Sequence, residues 1–250
     1  MPEMVAGHGF KLMDMLADLE TQFQALLPEQ QAEFLDLHDF RFPSEETQSH
    51  LLTIFRSNAY TGDRNIGLFP KMARINHSCK PNSGNWWSEK LGHRVIYASV
   101  DIEKGEEITV SYIPLLKKTS DRQTRLGQYG FICQCSACQL ASVESDKTRT
   151  EIANLLETLE HRVHYSSKTD TANEKNIAKA KLLIKMIEKE GLNDYLTKAY
   201  NIAAVFNKRG GNVEIARLLA RKELEILTWE DEGSAEVQKS VDFIESLGTG

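Results

Sequence analysis

Cys79, Cys133, Cys135 and Cys138 are the only cysteines among 250 residues, and the last three form the run Cys-Gln-Cys-Ser-Ala-Cys. A C-x-C-x-x-C turn brings three thiolates to one point, and zinc takes four soft, deprotonated ligands at about 2.3 Å in a tetrahedron. Cys79 is the one thiol left to close the fourth position, so the four are read as a single structural zinc site. A disulfide framework is the competing reading. The chain is too large to need such staples and opens on Met-Pro-Glu rather than on a secretory signal, so metal is favoured and an intracellular compartment is expected.

Apolar residues make up 41% of the chain and charged residues 26%, a globular balance with enough length for more than one domain. No apolar run approaches the length a bilayer needs, so no membrane partner is expected. The formal net charge of −6 argues against a general phosphate-binding surface and hence against direct nucleic-acid binding. A lysine-bearing protein is the better electrostatic match.

The periodicity changes along the chain. From Phe10 to about Leu37 apolar residues recur at helical spacing, with Leu12, Met15, Leu16, Leu19, Phe23 and Leu26 on one stripe. Pro28 opens a second helix, with Phe34 and Leu37 on its apolar side. Between Asn82 and Tyr112 the period falls to two. Residues 95–100 and 108–112 are expected to pair as a hairpin around the turn Glu103-Lys104-Gly105-Glu106. The acids Asp101, Glu103, Glu106 and Glu107 are read as a solvated turn. Beyond Ser142 the composition is rich in Lys, Glu, Ala and Leu. Stripes through Ile152, Leu155, Leu156 and Leu159, through Leu182, Leu183, Met186 and Ile187, and through Ala216, Leu219, Ala220 and Leu224 predict a helical domain. Gly191 and Gly210-Gly211 mark helix ends. Residues 195–227 resemble a tetratricopeptide-like helical pair, although a repeat assignment wants three copies.

The segment Arg74-Ile75-Asn76-His77-Ser78-Cys79-Lys80-Pro81-Asn82 resembles the Asn-His-Ser-Cys-x-Pro-Asn signature of SET-domain protein-lysine methyltransferases. Gly105-Glu106-Glu107-Ile108-Thr109-Val110-Ser111-Tyr112 resembles the same family's second signature, and the cysteine run matches its post-SET zinc motif. The order of the three motifs makes coincidence a poor explanation. The pattern is most similar to the SMYD-like branch, strongly over residues 58–138. The resemblance implies an α+β fold with four parts. These are a helical insert region of the SET domain (1–57), the C-terminal half of the SET β-core (58–115), a post-SET zinc segment (116–142) and an all-helical, TPR-like C-terminal domain (143–250).

The resemblance also implies an activity, S-adenosylmethionine-dependent N-methylation of a lysine in a histone or non-histone protein, in the nucleus or the cytoplasm. Asn76 and His77 correspond to cofactor-binding positions, with Asn58 and Phe131 beside them. Tyr112 corresponds to the active-site tyrosine, and Tyr60, Tyr129 and Phe131 to the aromatic lysine channel. Without the family, His77 reads as a zinc ligand or a satisfied core histidine, and Tyr112 as a plain strand-end aromatic. The chemistry suits these residue types. A lysine must shed its proton and its water before attacking a methyl in line, which an apolar aromatic channel favours, while ring faces accommodate the cationic product.

The expected Gly-x-Gly loop that wraps the methyl donor is not found. Gly7-His8-Gly9 has the letters but runs straight into a helix, and reads as tail. The chain therefore reads as an N-terminally truncated and weakly active form. Two other classes stay open: a zinc-stapled helical interaction module without catalysis, and a structural zinc module of unrelated fold.

Overall fold

A computed structural model describes residues 3–5, 12–61, 65–165 and 170–248. Gly7-His8-Gly9 lies outside the described residues. The chain divides into two compact units, Met1–His77 with Gln123–Cys133, and Ser78–Arg122 with Gln134–Gly250.

In the first unit, Glu3–Val5 forms strand β1, Leu12–Gln24 helix α1 and Pro28–Leu35 helix α2. The N-terminus of α2 is held as its sequence predicts. Pro28 occupies the first turn, where its missing N–H costs nothing, and the Leu27 N–H donates to Gln30 Oε1 at 3.1 Å. Helix α3 (His50–Asn58) leads into β2 (Ala59–Thr61) and β3 (Asn65–Leu68), followed by α4 (Pro70–Ala73) and β4 (Asn76–His77). The sheet order is β1-β3-β2, antiparallel throughout, with Tyr60 opposite Gly67 and Glu3 opposite the same glycine on the other side. Leu19, Phe34, Leu37, Ile54, Phe55 and Leu68 form the core of this unit. Burial of each such side chain stabilises by roughly 1.5–3 kcal/mol. The stripes around Leu19 and Phe34 thus face inward as their spacing predicts. Neither α3 nor the sheet is visible in the periodicity, because the helix is short and the strands have only three or four residues.

In the second unit the hairpin departs from expectation. Strand β5 (Ser83–Ser88) pairs with β6 (His93–Ala98), with Gly84 opposite Tyr97 and Trp86 opposite Val95. The turn falls at residues 89–92, where Gly92 has φ of 60°. Residues 103–106 do turn, with the Glu106 N–H donating to the Glu103 carbonyl at 2.9 Å and Gly105 at φ of 92°, but they do not join paired strands. Downstream only Thr109–Val110 (β7) is extended. The cause lies in Asn82, whose side chain takes the backbone groups that a 95–100/108–112 hairpin would have needed. Its Nδ2 donates to the Glu107 carbonyl at 2.9 Å and its Oδ1 accepts the Thr109 N–H at 2.9 Å. Strand β5 escaped notice because its inward positions are Ser83, Gly84 and Ser88, while Trp86 stays largely exposed. Gly84 has a steric reason, since a Cβ there would lie 2.4 Å from the Tyr97 ring.

Helices α5 (Thr119–Leu126) and α6 (Ser136–Gln139) precede a helical region. It comprises α7 (Val143–Tyr165), α8 (Asp170–Glu190), α9 (Leu196–Arg209), α10 (Val213–Asp231) and α11 (Ala235–Glu245). Consecutive helices from α7 to α11 pack on one another, and α10 also covers β5 and β6. Ile152, Leu183, Ile187, Ala216 and Ala220 are fully buried, as the stripes predict, whereas Leu182 is exposed. Gly191 and Gly211 sit at φ of 64° and 77° just past helix ends, a conformation that disfavours any residue with a Cβ.

Glu223 of α10 is buried among these helices. Asn201 Nδ2 donates to its Oε1 at 2.9 Å, while Oε2 finds no partner among the described residues. Burial pushes its pKa up to about 7, against the lowering effect of Asn201. The folded state therefore holds a proton that the unfolded chain releases near pH 4.5, so stability falls as pH rises from about 4.5 to about 7. Glu223→Gln is expected to remove that slope and to be more stable than the parent at pH 8, by up to about 3 kcal/mol. Thermal unfolding of both proteins at pH 5 and pH 8 measures it; parallel pH profiles would refute the assignment.

Candidate functional site

The sulfurs of Cys79, Cys133, Cys135 and Cys138 all lie within 4.8 Å of one another, with Cys79 and Cys133 buried and the other two partly so. Cys138 Sγ is 3.6 Å from Cys79 Sγ, far beyond a disulfide bond of about 2.05 Å. All four cysteines are free. A tetrahedron with arms of about 2.3 Å has edges of about 3.8 Å, so the sulfurs stand at the spacing a zinc ion needs. His77 is not a member of the cluster, so the donor set is four thiols.

Local structure prepares each ligand. The backbone of α6 turns directly after Cys135, with the Cys138 N–H donating to the Cys135 carbonyl at 2.9 Å. That turn carries two ligands back to one point, as C-x-x-C spacing requires. The Cys79 N–H donates to Cys135 Sγ at 3.3 Å. Cys133 is fixed by Gln123, whose Nε2 donates to the Cys133 carbonyl at 2.8 Å and whose Oε1 accepts its N–H at 2.9 Å.

Two buried arginines stand behind the second unit's cysteines. Arg149 is fully buried and uses all three guanidinium nitrogens, donating from Nε to Glu190, from Nη1 to the Leu115 carbonyl and from Nη2 to the Cys79 carbonyl, each at 3.1 Å. Arg122 is 1% exposed and donates from Nη1 to the Lys117 carbonyl at 2.6 Å and from Nη2 to the Thr119 hydroxyl at 3.1 Å. Burial works against its charge, but the Cys79 and Cys138 sulfurs outweigh it and raise its pKa.

The other sequence-predicted residues fall as follows. Within the first unit, Asn58 is buried on α3, and its Nδ2 donates to the carbonyls of His38 and Ile54 at 2.7 Å each. The His38 ring hydrogen-bonds the Tyr129 carbonyl at 2.9 Å, so Asn58 and Tyr129 are joined through one intermediary. Gly130 separates Tyr129 from Phe131 at φ of 83°, and any Cβ there would strike the Phe40 ring at 2.2 Å. The Phe131 ring lies 6.4 Å from that of His77, which is buried, whereas Asn76 is exposed. Tyr60 is half-buried on β2. Burial raises the Tyr129 phenol against an opposing effect from Arg125, keeping its hydroxyl neutral. Tyr112, in the second unit, is half-buried just beyond β7.

Residues 14–113 match the family model described as "SET domain". The chain carries a SET domain over those residues. This SET domain has relatives at appreciable identity. "Histone-lysine N-methyltransferase set5" of Schizosaccharomyces pombe is 42% identical over 106 residues, which cover 42% of this chain and 32% of that protein. "N-lysine methyltransferase SMYD2" of Bos taurus is 32% identical over 153 residues, 54% of this chain and 34% of that protein. "Histone-lysine N-methyltransferase SMYD3" of Homo sapiens is 36% identical over 90 residues, 36% of this chain and 21% of that protein. The chain thus spans about a fifth to a third of the curated relatives it matches. No helix among the described residues is long and apolar enough to cross a membrane.

Sequence reasoning quoted Asn82 as part of a signature and gave it no task, and it passed over Gln123, Arg122 and Arg149 altogether. Asn82 joins the two signatures of the SET domain. Besides Glu107 and Thr109 it donates to Glu106 Oε1 at 3.2 Å, and its own carbonyl accepts the Ser99 N–H at 2.9 Å. Removal of its buried amide leaves backbone groups without partners, so Asn82→Ala is expected to lose roughly 3 kcal/mol of stability. Urea unfolding measures the loss; a change below about 1 kcal/mol would mean that water replaces the side chain.

Proposed function

We propose that this protein is an S-adenosylmethionine-dependent protein-lysine N-methyltransferase, and that its four cysteines hold one structural zinc ion. The observation that carries the proposal is the SET domain over residues 14–113, whose two signatures meet at Asn82 and whose first signature ends beside a four-sulfur cluster. The relatives named as lysine methyltransferases support it.

Bound S-adenosylmethionine would supply an electrophilic methyl group on a sulfonium. In this proposal Asn76, His77, Asn58 and Phe131 bind it. Asn58 acts through its backbone and remaining amide oxygen, since its Nδ2 is committed to His38 and Ile54. Tyr60, Tyr129 and Phe131 form the aromatic channel. Their rings strip water from the substrate lysine and favour the neutral amine, whose nitrogen lone pair forms the new N–C bond as the S–C bond breaks. The proton is lost before attack, and the sulfonium leaves as a neutral thioether. Tyr112 directs its hydroxyl at the reacting groups, orienting them without a covalent intermediate. Zinc at the four cysteines would anchor the segment carrying Tyr129 and Phe131, because Cys133 follows Phe131 by two residues.

The substrate is a lysine-containing protein, histone or non-histone, met in the nucleus or cytoplasm. The proposed organisation keeps residues 1–57 as helical insert region, 58–115 as SET core, 116–142 as post-SET segment and 143–250 as helical domain. The successive helix pairs from α7 to α11, with glycines at Gly191 and Gly210-Gly211, support a TPR-like arrangement for the last of these.

The test is calorimetric titration of S-adenosylmethionine into the zinc-loaded chain, beside Asn76→Ala and a methyl-transfer assay with Tyr112→Phe. Micromolar binding lost in Asn76→Ala, with turnover reduced at least about a hundredfold in Tyr112→Phe, is expected. Absence of binding by a folded chain with one zinc would overturn the catalytic proposal in favour of a zinc-stapled interaction module.

A further inference from the structure

The four sulfurs of the cysteine cluster are not equivalent. Cys79 is fully buried and Cys133 nearly so, whereas Cys135 and Cys138 are partly open to solvent. Cys135 Sγ accepts the Cys79 N–H at 3.3 Å, which occupies a lone pair on that sulfur. Cys138 Sγ stands 3.6 Å from Cys79 Sγ, in contact across 59 residues of sequence, and both belong to the second unit. Spacing along the chain would favour a different couple, Cys135 with Cys138, as the C-x-x-C pair. An accessible sulfur touching a buried one is the arrangement of a dithiol that oxidises in two stages, the first sulfur meeting the oxidant and the second resolving the product.

We propose that Cys138 and Cys79 are a peroxide-oxidised modification site, in which a Cys79–Cys138 disulfide forms and the metal site is dismantled; only the second part rests on the zinc reading above. The Cys138 thiolate attacks one oxygen of hydrogen peroxide. The O–O bond breaks, Cys138 becomes a sulfenic acid, and the other oxygen leaves as hydroxide. The Cys79 thiolate then attacks the Cys138 sulfur, the S–O bond breaks, and a second hydroxide leaves as the disulfide closes. The two sulfurs together give two electrons to the peroxide, and protons from solvent turn both hydroxides into water. The sulfurs move from 3.6 Å to a bond of about 2.05 Å, a shift of the size that side-chain torsions supply. A structural zinc ion takes four ligands, and the disulfide leaves only the thiolates of Cys133 and Cys135. Gln123 keeps its hydrogen bonds to both backbone groups of Cys133, so oxidation removes the metal without removing that local support.

The site is tested by chemistry on the sulfurs and not by turnover. The full chain, purified with zinc, is titrated with hydrogen peroxide in the absence of thiols. Free thiols are counted with a chromogenic disulfide reagent and released zinc with a chromogenic chelator. The bridge is mapped by mass spectrometry of a digest, with fragmentation that separates residues 133, 135 and 138. Two of the four thiols are expected to disappear, zinc to be released in step, and the bridge to join Cys79 to Cys138. Dithiothreitol with added zinc is expected to restore both the thiols and the metal. Cys138→Ser is expected to lose thiols at least about tenfold more slowly, because the remaining accessible sulfur has its neighbour's N–H on it. Should that variant fail to fold, the bridge mapped in the parent decides. A bridge between Cys135 and Cys138, a bridge between two chains, or a sulfinic acid at Cys138 with no bridge would overturn the inference and leave the zinc reading standing. Thiols that survive about a tenfold excess of peroxide would overturn it equally. A parent that holds no zinc would overturn the metal reading instead, and its thiol count and map still decide whether the bridge forms.

Discussion

Four sulfurs held within 4.8 Å of one another, two of them buried, are the constraint on which the candidate site depends. Thiols at that spacing gain little from each other, and thiolates repel. A shared cation, as proposed above, would make the arrangement favourable, and its binding free energy would become folding free energy for every segment that supplies a ligand. Cys79 brings the end of the first signature, and Cys133 brings the aromatic segment of Tyr129 and Phe131. A change in metal occupancy would accordingly be felt at residues that carry no sulfur.

Hydrogen bonds from single side chains to distant backbone do the remaining positioning. Asn82 holds residues 107 and 109, Gln123 holds both backbone groups of Cys133, and Arg149 holds the carbonyls of residues 79 and 115. Each replaces a strand ladder or a helix cap where the chain is too irregular to satisfy its own groups. This is why a SET core with strands of two to six residues keeps defined geometry. Main-chain pairing is brief, and side chains complete it.

The same division explains what the sequence allowed to be read. Spacing identifies the cysteine cluster and the helix stripes, because metal coordination and helix packing are periodic or local: Leu19, Phe34, Ile152 and Leu183 are fully buried where the stripes put them. The hairpin was misplaced because β5 buries serine and glycine while a tryptophan stays exposed, which reverses the hydrophobic signal. Helix α3 went unseen in nine residues of mixed type. Arg122, Arg149 and Gln123 carry no pattern at all, since an arginine on a Lys- and Glu-rich helix looks like solvated surface until tertiary structure closes over it. The partners of Gln123 and Arg149 lie 10 to 70 residues away, where spacing along the chain gives no sign of them.

The helical region is not a detachable appendage to residues 78–122. Arg149 of α7 and Tyr195 grip the two backbone groups of Leu115, and Glu230 of α10 accepts the Tyr97 hydroxyl at 2.8 Å. Burial, together with the Glu230 carboxylate, raises the Tyr97 phenol far above its ordinary value, so that hydroxyl remains a donor at every accessible pH. The Tyr97 ring is admitted only because Gly84 has no side chain, which ties the geometry of β5 to a residue of α10. Contacts of this kind, buried and directional, transmit displacement more readily than an apolar interface that can slide. Anything that moved α7 or α10 would therefore reach Leu115 and the β5–β6 hairpin first, and through the Cys79 carbonyl it would reach the cysteine cluster.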